Sequence, residues 1–282
     1  MRDVADPEPA ANELLVDIEA IGVNYRDVYE RERDDYGTAP PAIIGAEAGG
    51  IAADARRLVW SRIPGSYAER VAVDPAKAFE IPDGVDTETA VAACMQGMTA
   101  HYLAHDSYPI QPGDRVLVHA AAGGVGNLLV QIAKLRGAYV IATASTDEKR
   151  ELAKDAGADE VRGYDEIEDA NVIAVYDGVG RTTFAAGLDA LAPTGRMILY
   201  GAASGEPDPI DARVLSAKGS LYVQRPTLAN YSTPQRAAAV FALIRAGDLA
   251  IRIGARYPLS DARRAHEDLE ARRTVGKLLL VP

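Results

Sequence analysis

The stretch from Val116 to Lys149, VLVHAAAGGVGNLLVQIAKLRGAYVIATASTDEK, constrains the fold more than any other part of this sequence. An apolar run leads into a glycine cluster, a helical pattern follows, and a second apolar run comes after it. Within the cluster, Ala121, Gly123 and Gly126 form the pattern A-x-G-x-x-G, with alanine in place of the first glycine. Strand, glycine turn, helix and strand in this order predict a dinucleotide-binding βαβ unit.

Two glycines of this turn have specific predicted roles. Gly123 would let the backbone approach a pyrophosphate closely, and Gly126 would let the helix pack against the preceding strand. The first amide groups of the helix carry positive partial charge, which attracts an anion. A tight turn without a ligand is the alternative, and the complete βαβ context favours nucleotide binding over it.

The end of the second strand indicates which nucleotide binds. An NAD site places Asp or Glu there for the ribose hydroxyls, whereas this chain has ATAST, followed by Asp147 and Lys149. Small hydroxyl side chains and a lysine suit a 2′-phosphate, which favours NADPH. Asp147 leaves NADH as an alternative cofactor, and Lys149 could also be an ordinary exposed helix residue.

Strand and helix patterns on either side of this unit predict two domains. The chain up to about Cys94 consists of short β-type runs broken by Gly and Pro, which indicates an antiparallel, strand-rich domain. From Arg115 onward strands alternate with helices, as in a doubly wound parallel sheet. The final strand, GKLLLVP, is predicted to return to the first domain. We therefore expect an α/β protein with a strand-rich domain over residues 1–96, completed by 232–282, and a Rossmann domain over 97–231.

Charge and cysteine content exclude several classes of partner. The 282 residues carry a formal net charge of -11, which repels nucleic-acid phosphates and anionic lipid. No apolar run approaches the length of a membrane span, and the polar N-terminus does not resemble a signal peptide. The single cysteine, Cys94, allows no intrachain disulfide. We expect a cytoplasmic protein that acts on small molecules rather than on nucleic acid or a membrane.

Eight stretches carry a family resemblance that runs nearly end to end. They are GVNYRDVYER, GAEAGG, QGMTAHYL, PGDRVLVHAAAGGVG, EKRELAKDAGAD, VYDGVG, KGSLYVQRPTL and AHEDLEARRTVGKLLLVP. In this combination the chain resembles the quinone oxidoreductase (zeta-crystallin-like) branch of the medium-chain dehydrogenase/reductase superfamily. The resemblance implies a GroES-like catalytic domain in addition to the Rossmann domain, NADPH as cofactor, and a homodimer. It also implies reduction of quinones or other activated alkenes without metal.

The same motifs assign candidate site residues. Asn24, within VNY, should approach the nicotinamide and polarise the reacting carbonyl, and Tyr25 and Tyr29 follow as candidate catalytic or pocket-forming residues. Further residues that could shape this pocket are Arg26, Asp27 and Tyr36. By the resemblance, the cofactor is bound by Asn24, Tyr102, Gly123, Gly124, Val125, Gly126, Lys149, Tyr164, Gly201, Ala202, Arg225 and Gly276. Ala202 stands where the family often has Asn, and the glycines and Tyr164 could instead serve turns and packing.

Catalytic zinc is not expected. Zinc-dependent relatives use an early cysteine and a histidine beside the glutamate of the segment that corresponds to GAEAGG. Here Ala46 precedes Glu47, and no cysteine lies nearby. The four histidines, which are not grouped at ligand spacing, are His101, His105, His119 and His266.

The length of the chain leaves two functions open. Compared with the family it resembles, the segment IAADARRLVW after GAEAGG is brief, and DEIEDAN leaves little room for a crossover helix. The shortening fits a naturally reduced or an engineered form. The retained GVNYRDVY segment favours an NADPH-dependent quinone or enone reductase, whereas the trimmed first domain favours a cofactor-binding protein with little catalysis, in a structural or sensing role. An alcohol dehydrogenase acting on unactivated carbonyls is disfavoured by the missing zinc ligands.

Overall fold

The computed structural model describes residues 3–32 and 39–282, so Tyr36 lies outside the described residues. The chain divides into two compact units. The first comprises Met1–Gln96 with Thr233–Pro282, and the second comprises Gly97–Ser232.

Within the described part of the first unit, a seven-stranded sheet has the order β12-β13-β1-β2-β3-β5, and β4 also pairs with β1. The strands are β1 (Leu14–Val23), β2 (Ala48–Ala52), β3 (Arg57–Trp60), β4 (Arg70–Val73), β5 (Phe79–Glu80), β12 (Ile253–Pro258) and β13 (Lys277–Val281). All pairings are antiparallel except that of β12 with β13. The helices are α1 (Tyr25–Glu32), α7 (Pro234–Ala246) and α8 (Ala262–Glu270), while α2 (Thr87–Tyr102) contains residues of both units.

Strand β1 organises this sheet because its side chains alternate between core and solvent. Val16, Ile18 and Ala20 are buried, whereas Asp17 and Glu19 are exposed, which is the period of two expected for a strand with one buried face. The buried face packs in a core that also contains Trp60. The predicted strand-rich character of this part of the chain is therefore confirmed.

The second unit contains a six-stranded sheet, in the order β11-β10-β9-β6-β7-β8, whose neighbouring strands are all parallel. Its strands are β6 (Arg115–Val118), β7 (Tyr139–Thr143), β8 (Glu160–Arg162), β9 (Val172–Asp177), β10 (Leu191–Leu199) and β11 (Tyr222–Gln224). Its helices are α3 (Gly124–Leu135), α4 (Asp147–Asp155), α5 (Phe184–Asp189) and the short α6 (Ala212–Ala217), which the sequence pattern did not indicate. The predicted doubly wound sheet is confirmed.

The strand order reverses between β6 and β9. The chain proceeds from β6 to β7 and β8 on one side, and from β9 to β10 and β11 on the other. In open α/β sheets, ligands bind outside the carboxyl ends of the strands at such a reversal. Residues 163–171, which connect β8 to β9, contain turns and no helix, as the brevity of DEIEDAN indicates. Within residues 3–32 and 39–282, no helix is both long and apolar enough to cross a membrane.

Candidate functional site

The glycine turn lies at the carboxyl end of β6, at the strand reversal. Gly123 is the N-cap of α3, and Gly124, Val125 and Gly126 form the first helical turn. The N–H groups of a first turn have no carbonyl partner within their own helix, so they can bind an anion. A Cβ on Gly126 would lie 2.4 Å from the carbonyl oxygen of Ala120, which no side chain can accommodate. The turn therefore requires glycine for packing, and it presents the donors that a pyrophosphate needs.

The loops after β9 and β10 pack closely against each other. They lie at the carboxyl ends of the parallel strands, as the glycine turn does. The buried Asp177 accepts hydrogen bonds from the N–H groups of Val179 (2.7 Å) and Gly180 (3.0 Å), which fixes the loop after β9. A Cβ on Gly201 would lie 2.7 Å from the carbonyl oxygen of Gly178. Gly201 is thus required for loop packing, and the adjacent Ala202 is buried.

Lys149 lies in the first turn of α4, directly after β7. Thr146 caps this helix, because its Oγ1 accepts a hydrogen bond from the N–H of Lys149 (3.3 Å). Asp147 is almost fully exposed and lies 3.5 Å from the guanidinium of Arg150. The buried Nε of Arg150 has no hydrogen-bond partner among the described residues. Arg150 is thus a second basic candidate for a phosphate, which sequence reasoning did not single out.

Tyr164 stacks on a buried histidine at the same edge. The ring centroids of Tyr164 and His119 are 5.8 Å apart, and the Nδ1 of His119 lies 2.8 Å from the Oγ1 of Thr143. Burial lowers the pKa of His119, against the opposing effect of Asp177, so the imidazole is neutral near pH 7. Tyr164 therefore has a packing partner whether or not it also contacts a nucleotide.

Two other candidates of the second unit are engaged within the protein. Tyr102 is 2% exposed, and its ring stacks on Tyr231 with centroids 4.3 Å apart. Arg225 donates to the carbonyl oxygens of Leu199 (3.1 Å) and Gly201 (3.0 Å), which holds the loop that follows β10. Both side chains thus have partners within the protein, Arg225 in addition at 3.2 Å from Glu206, and their role in cofactor binding stays a prediction.

In the first unit, the pairing of β1 with two distant strands assembles a buried polar cluster. The register places Val23 opposite Leu278, so that Asn24 and Lys277 are neighbours at the end of the ladder. On the other side of β1, Gly22 donates its N–H to the carbonyl of Glu47 (2.9 Å). Asn24, Glu47 and Lys277 are at most 7% exposed. We call these three side chains the Asn24 cluster.

The three side chains of the Asn24 cluster form hydrogen bonds with one another. The Nδ2 of Asn24 donates to the Oε2 of Glu47 (2.8 Å), and the Nζ of Lys277 donates to the Oδ1 of Asn24 (2.7 Å). Lys277 also forms a direct ion pair with Glu47. The second carboxylate oxygen of Glu47 accepts from the N–H of Met95 (2.6 Å). Every polar group of the cluster thus has a protein partner.

Asp27 links Asn24 to a second chain of hydrogen bonds. Its Oδ2 accepts from the backbone N–H of Asn24 (2.8 Å), the residue before α1, as the third residue of a helix does in a capping box. The hydroxyl of Tyr67 donates to the same oxygen (3.2 Å) and lies 2.9 Å from the Nε2 of His266. Burial raises the pKa of the Asp27 carboxyl to about 7, against the opposing hydrogen bond from Asn24.

Tyr25 and Tyr29 lie on successive turns of α1, with ring centroids 5.9 Å apart. Both are half-buried. Burial raises the pKa of the Tyr25 hydroxyl, although the guanidinium of Arg272 partly opposes this effect. Tyr25 is therefore a neutral phenol at physiological pH and can donate a hydrogen bond.

Comparison with known proteins places the chain in a family. The family model described as "Zinc-binding dehydrogenase" matches residues 124–243. A curated quinone oxidoreductase of Pseudomonas aeruginosa is 38% identical over 307 positions, covering 100% of this chain and 94% of the relative. The chain belongs to the quinone oxidoreductase branch of the medium-chain dehydrogenase/reductase superfamily. The matched span exceeds the 282 residues of this chain, so the Pseudomonas quinone oxidoreductase has additional residues within it.

Two solved structures agree with this assignment. Mycobacterial Rv1454c, solved in complex with NADPH, has a TM-score of 0.95 and 43% identity, and the match covers 100% of this chain and 94% of that one. The Escherichia coli quinone oxidoreductase, also complexed with NADPH, has a TM-score of 0.94 and 35% identity, with 100% and 95% covered. The fold of this chain is therefore that of the NADPH-complexed relatives over its whole length.

The name of the matching family model refers to zinc, but the donor groups of this quinone oxidoreductase homologue are arranged differently. Both carboxylate oxygens of Glu47 are occupied, and one of them faces the ammonium group of Lys277, where a metal cation would be repelled. Within residues 3–32 and 39–282, no three His, Cys, Asp or Glu side chains are grouped as metal ligands.

Several residues around Asn24 and Asp27 could not be singled out from the sequence of this quinone oxidoreductase homologue. Lys277 and Glu47 meet only through strand pairing, and Tyr67 and His266 join Asp27 from distant parts of the chain. One local signal was available, since Lys277 is a lysine at the first position of an otherwise apolar, buried strand. Gly276, beside it, has a φ of 63°, and a Cβ there would lie 2.5 Å from the carbonyl oxygen of Arg252.

Proposed function

We propose that this protein is a zinc-independent, NADPH-dependent reductase of quinones and other activated alkenes such as enones. The observation that carries the proposal is the glycine turn at the reversal of the parallel sheet, with backbone packing that excludes any side chain at Gly126. Its support is that relatives named quinone oxidoreductase match the whole chain, and that two solved relatives are NADPH complexes.

In this reaction the bound NADPH supplies a hydride to the electrophilic atom of the substrate. The amide groups of Gly124, Val125 and Gly126 would hold the pyrophosphate. Lys149 and Arg150, together with Tyr164 after β8, would hold the end of the NADPH molecule that carries the 2′-phosphate. Residues that would support the nicotinamide end are Asn24, Tyr102, Gly201, Ala202, Arg225 and Gly276.

The substrate oxygen that gains negative charge needs a hydrogen-bond donor. Tyr25 suits this role because its phenol is neutral at physiological pH, and Tyr29, one turn along α1, would form the adjacent wall. The proton that completes the product could come from Tyr25 or from water.

We also propose that the protein is a cytoplasmic homodimer. The edge strand β11 of the parallel sheet exposes Tyr222 (57%) and Val223 (36%), and an unpaired edge with apolar side chains favours pairing with another strand. A two-fold axis at β11 would extend the sheet across two copies. Size-exclusion chromatography with light scattering tests this proposal, and a monomer at micromolar concentration would contradict it.

Oxidation of NADPH in the presence of a reactive ortho-quinone tests the activity directly. The rate is compared with NADH and with a reaction lacking enzyme, and binding is measured separately by NADPH fluorescence. Enzyme-dependent oxidation that favours NADPH would support the proposal. Tight NADPH binding without turnover would instead favour a cofactor-binding protein with little catalysis, the alternative to which the shortened chain points.

Replacement of Lys149 by Ala is expected to weaken NADPH binding by roughly tenfold or more, since a hydrogen bond to a charged group contributes about 1.5–3 kcal/mol. NADH binding should change little, because NADH lacks the 2′-phosphate. Lys154→Ala on the same helix is the matched control, since Lys154 pairs with Glu151 on an exposed surface. Equal losses for NADPH and NADH, measured by fluorescence titration, would refute the phosphate assignment.

A further inference from the structure

The side-chain amide of Asn24 is almost completely used within the protein. An amide group has two N–H donors and one carbonyl oxygen with two lone pairs. The two donors are directed to the Oε2 of Glu47 (2.8 Å) and to the carbonyl oxygen of Gly22 (3.2 Å). One lone pair accepts from Lys277 (2.7 Å). The remaining hydrogen-bonding position is the second lone pair of Oδ1.

Lys277 and Glu47 fix which way the amide points. An ammonium group can only donate and a carboxylate can only accept, so the oxygen of Asn24 must face Lys277 and its nitrogen must face Glu47. A flipped amide would place two donors together and two acceptors together in a buried site. Gly22 permits this arrangement, because a Cβ there would lie 2.3 Å from Glu47 and 2.8 Å from Lys277.

Stability alone does not account for this buried ion pair. Removing an ammonium and a carboxylate from water costs several kcal/mol each, and apolar pairs of similar volume often stabilise a protein equally well. The charged pair has a further effect: it determines the orientation of the Asn24 amide, which lies between Lys277 and Glu47. Three other ionisable groups lie near the pair: the charges of both members act on Asp27 and Cys94, and the charge of Glu47 acts on Tyr67.

We propose that Lys277 and Glu47 are positioning residues for the reduction, holding Asn24 so that it accepts a hydrogen bond through Oδ1. The amide then orients a donor of the bound nucleotide, such as a hydroxyl or carboxamide N–H, and does not polarise the substrate oxygen. This inference rests on the proposed reductase function. It replaces the expectation that Asn24 donates to the substrate, since both of its donors are occupied.

A neutral double variant tests the proposal without leaving a charge unpaired. In Glu47→Gln with Lys277→Met, residue 47 can accept or donate, so the amide of Asn24 loses its single orientation. We expect the thermal unfolding midpoint to be unchanged or higher, while kcat falls at least tenfold and NADPH binding weakens severalfold. The matched control is Glu88→Gln with Arg256→Met, which removes a more exposed ion pair of the same unit and should change neither kcat nor NADPH binding. Wild-type kcat and NADPH affinity in the Glu47/Lys277 variant would overturn the proposal.

The single variant Glu47→Gln gives a pH signature that a purely structural role would not produce. Lys277 still donates to Asn24, but in this variant its buried ammonium has lost the carboxylate that compensates its charge, so alkaline solution favours the neutral amine. NADPH affinity and kcat should therefore fall in Glu47→Gln as the pH rises from 7 to 10, relative to wild type. Parallel pH profiles of the two proteins would contradict the inference.

The two proposals can fail separately. If the wild-type protein binds NADPH but reduces no quinone, the reductase function fails, and the pH dependence of NADPH affinity still decides the role of the Lys277–Glu47 pair. If quinone reduction is robust and the Glu47→Gln profile is unchanged, the positioning role fails alone.

Discussion

Gly126→Ala is expected to weaken NADPH binding about 100-fold and to lower the thermal unfolding midpoint by several degrees. The new Cβ would lie 2.4 Å from the carbonyl oxygen of Ala120 and 3.0 Å from the Cα of Ala121, both of which are backbone atoms. The start of α3 must therefore move away from β6. Overpacking of this kind lowers the free energy of unfolding by about 1–3 kcal/mol. The displaced N–H groups no longer point at the pyrophosphate, and each charged hydrogen bond lost weakens NADPH binding by about 1.5–3 kcal/mol.

Gly123→Ala, in the same turn, tests the effect on NADPH binding separately from the effect on stability. Gly123 has a φ of −76° and a ψ of 168°, which alanine adopts without strain, and its Cβ would meet only the carbonyl oxygen of Ala120, at 3.1 Å. We expect stability close to that of the wild type, because the Ala120 carbonyl need shift by only a few tenths of an ångström. NADPH binding should be weaker if the pyrophosphate lies against this backbone. Thermal unfolding and fluorescence titration of both variants decide the matter. A Gly126→Ala protein with unchanged stability and affinity would show that the turn tolerates a side chain.

Asp27→Asn is expected to remove most of the loss of stability that the wild-type protein suffers between about pH 4 and pH 7. Burial raises the pKa of this carboxyl to about 7 in the folded chain, from 3.8 for an exposed group. Between these two values only the folded state holds the proton, so stability is fully present below the lower value and falls as the pH rises through the higher one. The full effect above pH 8 is roughly 4 kcal/mol, or about 5–10 °C in unfolding midpoint.

The asparagine variant keeps an acceptor for the N–H of Asn24 and the hydroxyl of Tyr67 while carrying no charge. The measurement is the pH dependence of the unfolding midpoint. A change in stability that the new amide causes independently of pH shifts the whole curve equally and does not alter its slope. Tyr67 donates a hydrogen bond to Asp27, and the charges of Arg26, Lys277 and Glu47 act on its carboxyl; all four groups are present in both proteins. Asp208→Asn, at an exposed position, is the control and should follow the wild-type curve. If the Asp27→Asn curve ran parallel to the wild-type curve, the carboxyl would not titrate between the two states.

The nucleotide turn could be recognised in the sequence because its parts are consecutive. Strand β6, the glycines, α3 and β7 lie within one short stretch, and the periods of two and 3.6 that define them are local properties of the chain. The alternation of strands and helices likewise predicted the parallel sheet, and the brevity of DEIEDAN indicated the missing crossover helix. The length and ends of the short strands were less predictable, since only Arg70–Val73 of the run SYAERVAV forms a strand.

The surroundings of Asn24 could not be predicted in this way. Glu47 and Lys277 lie 23 and 253 positions from Asn24 in the sequence, and each meets it because β1 pairs with β2 on one side and with β13 on the other. A register shift of one residue would send these side chains to the opposite face of the sheet. The sequence by itself therefore determined the fold class, the nucleotide turn and the kind of cofactor expected, because these depend on neighbouring residues. Tertiary structure alone decided that the amide of Asn24 is held by a buried ion pair and that Asp27 titrates near neutral pH, because both depend on strand register and burial.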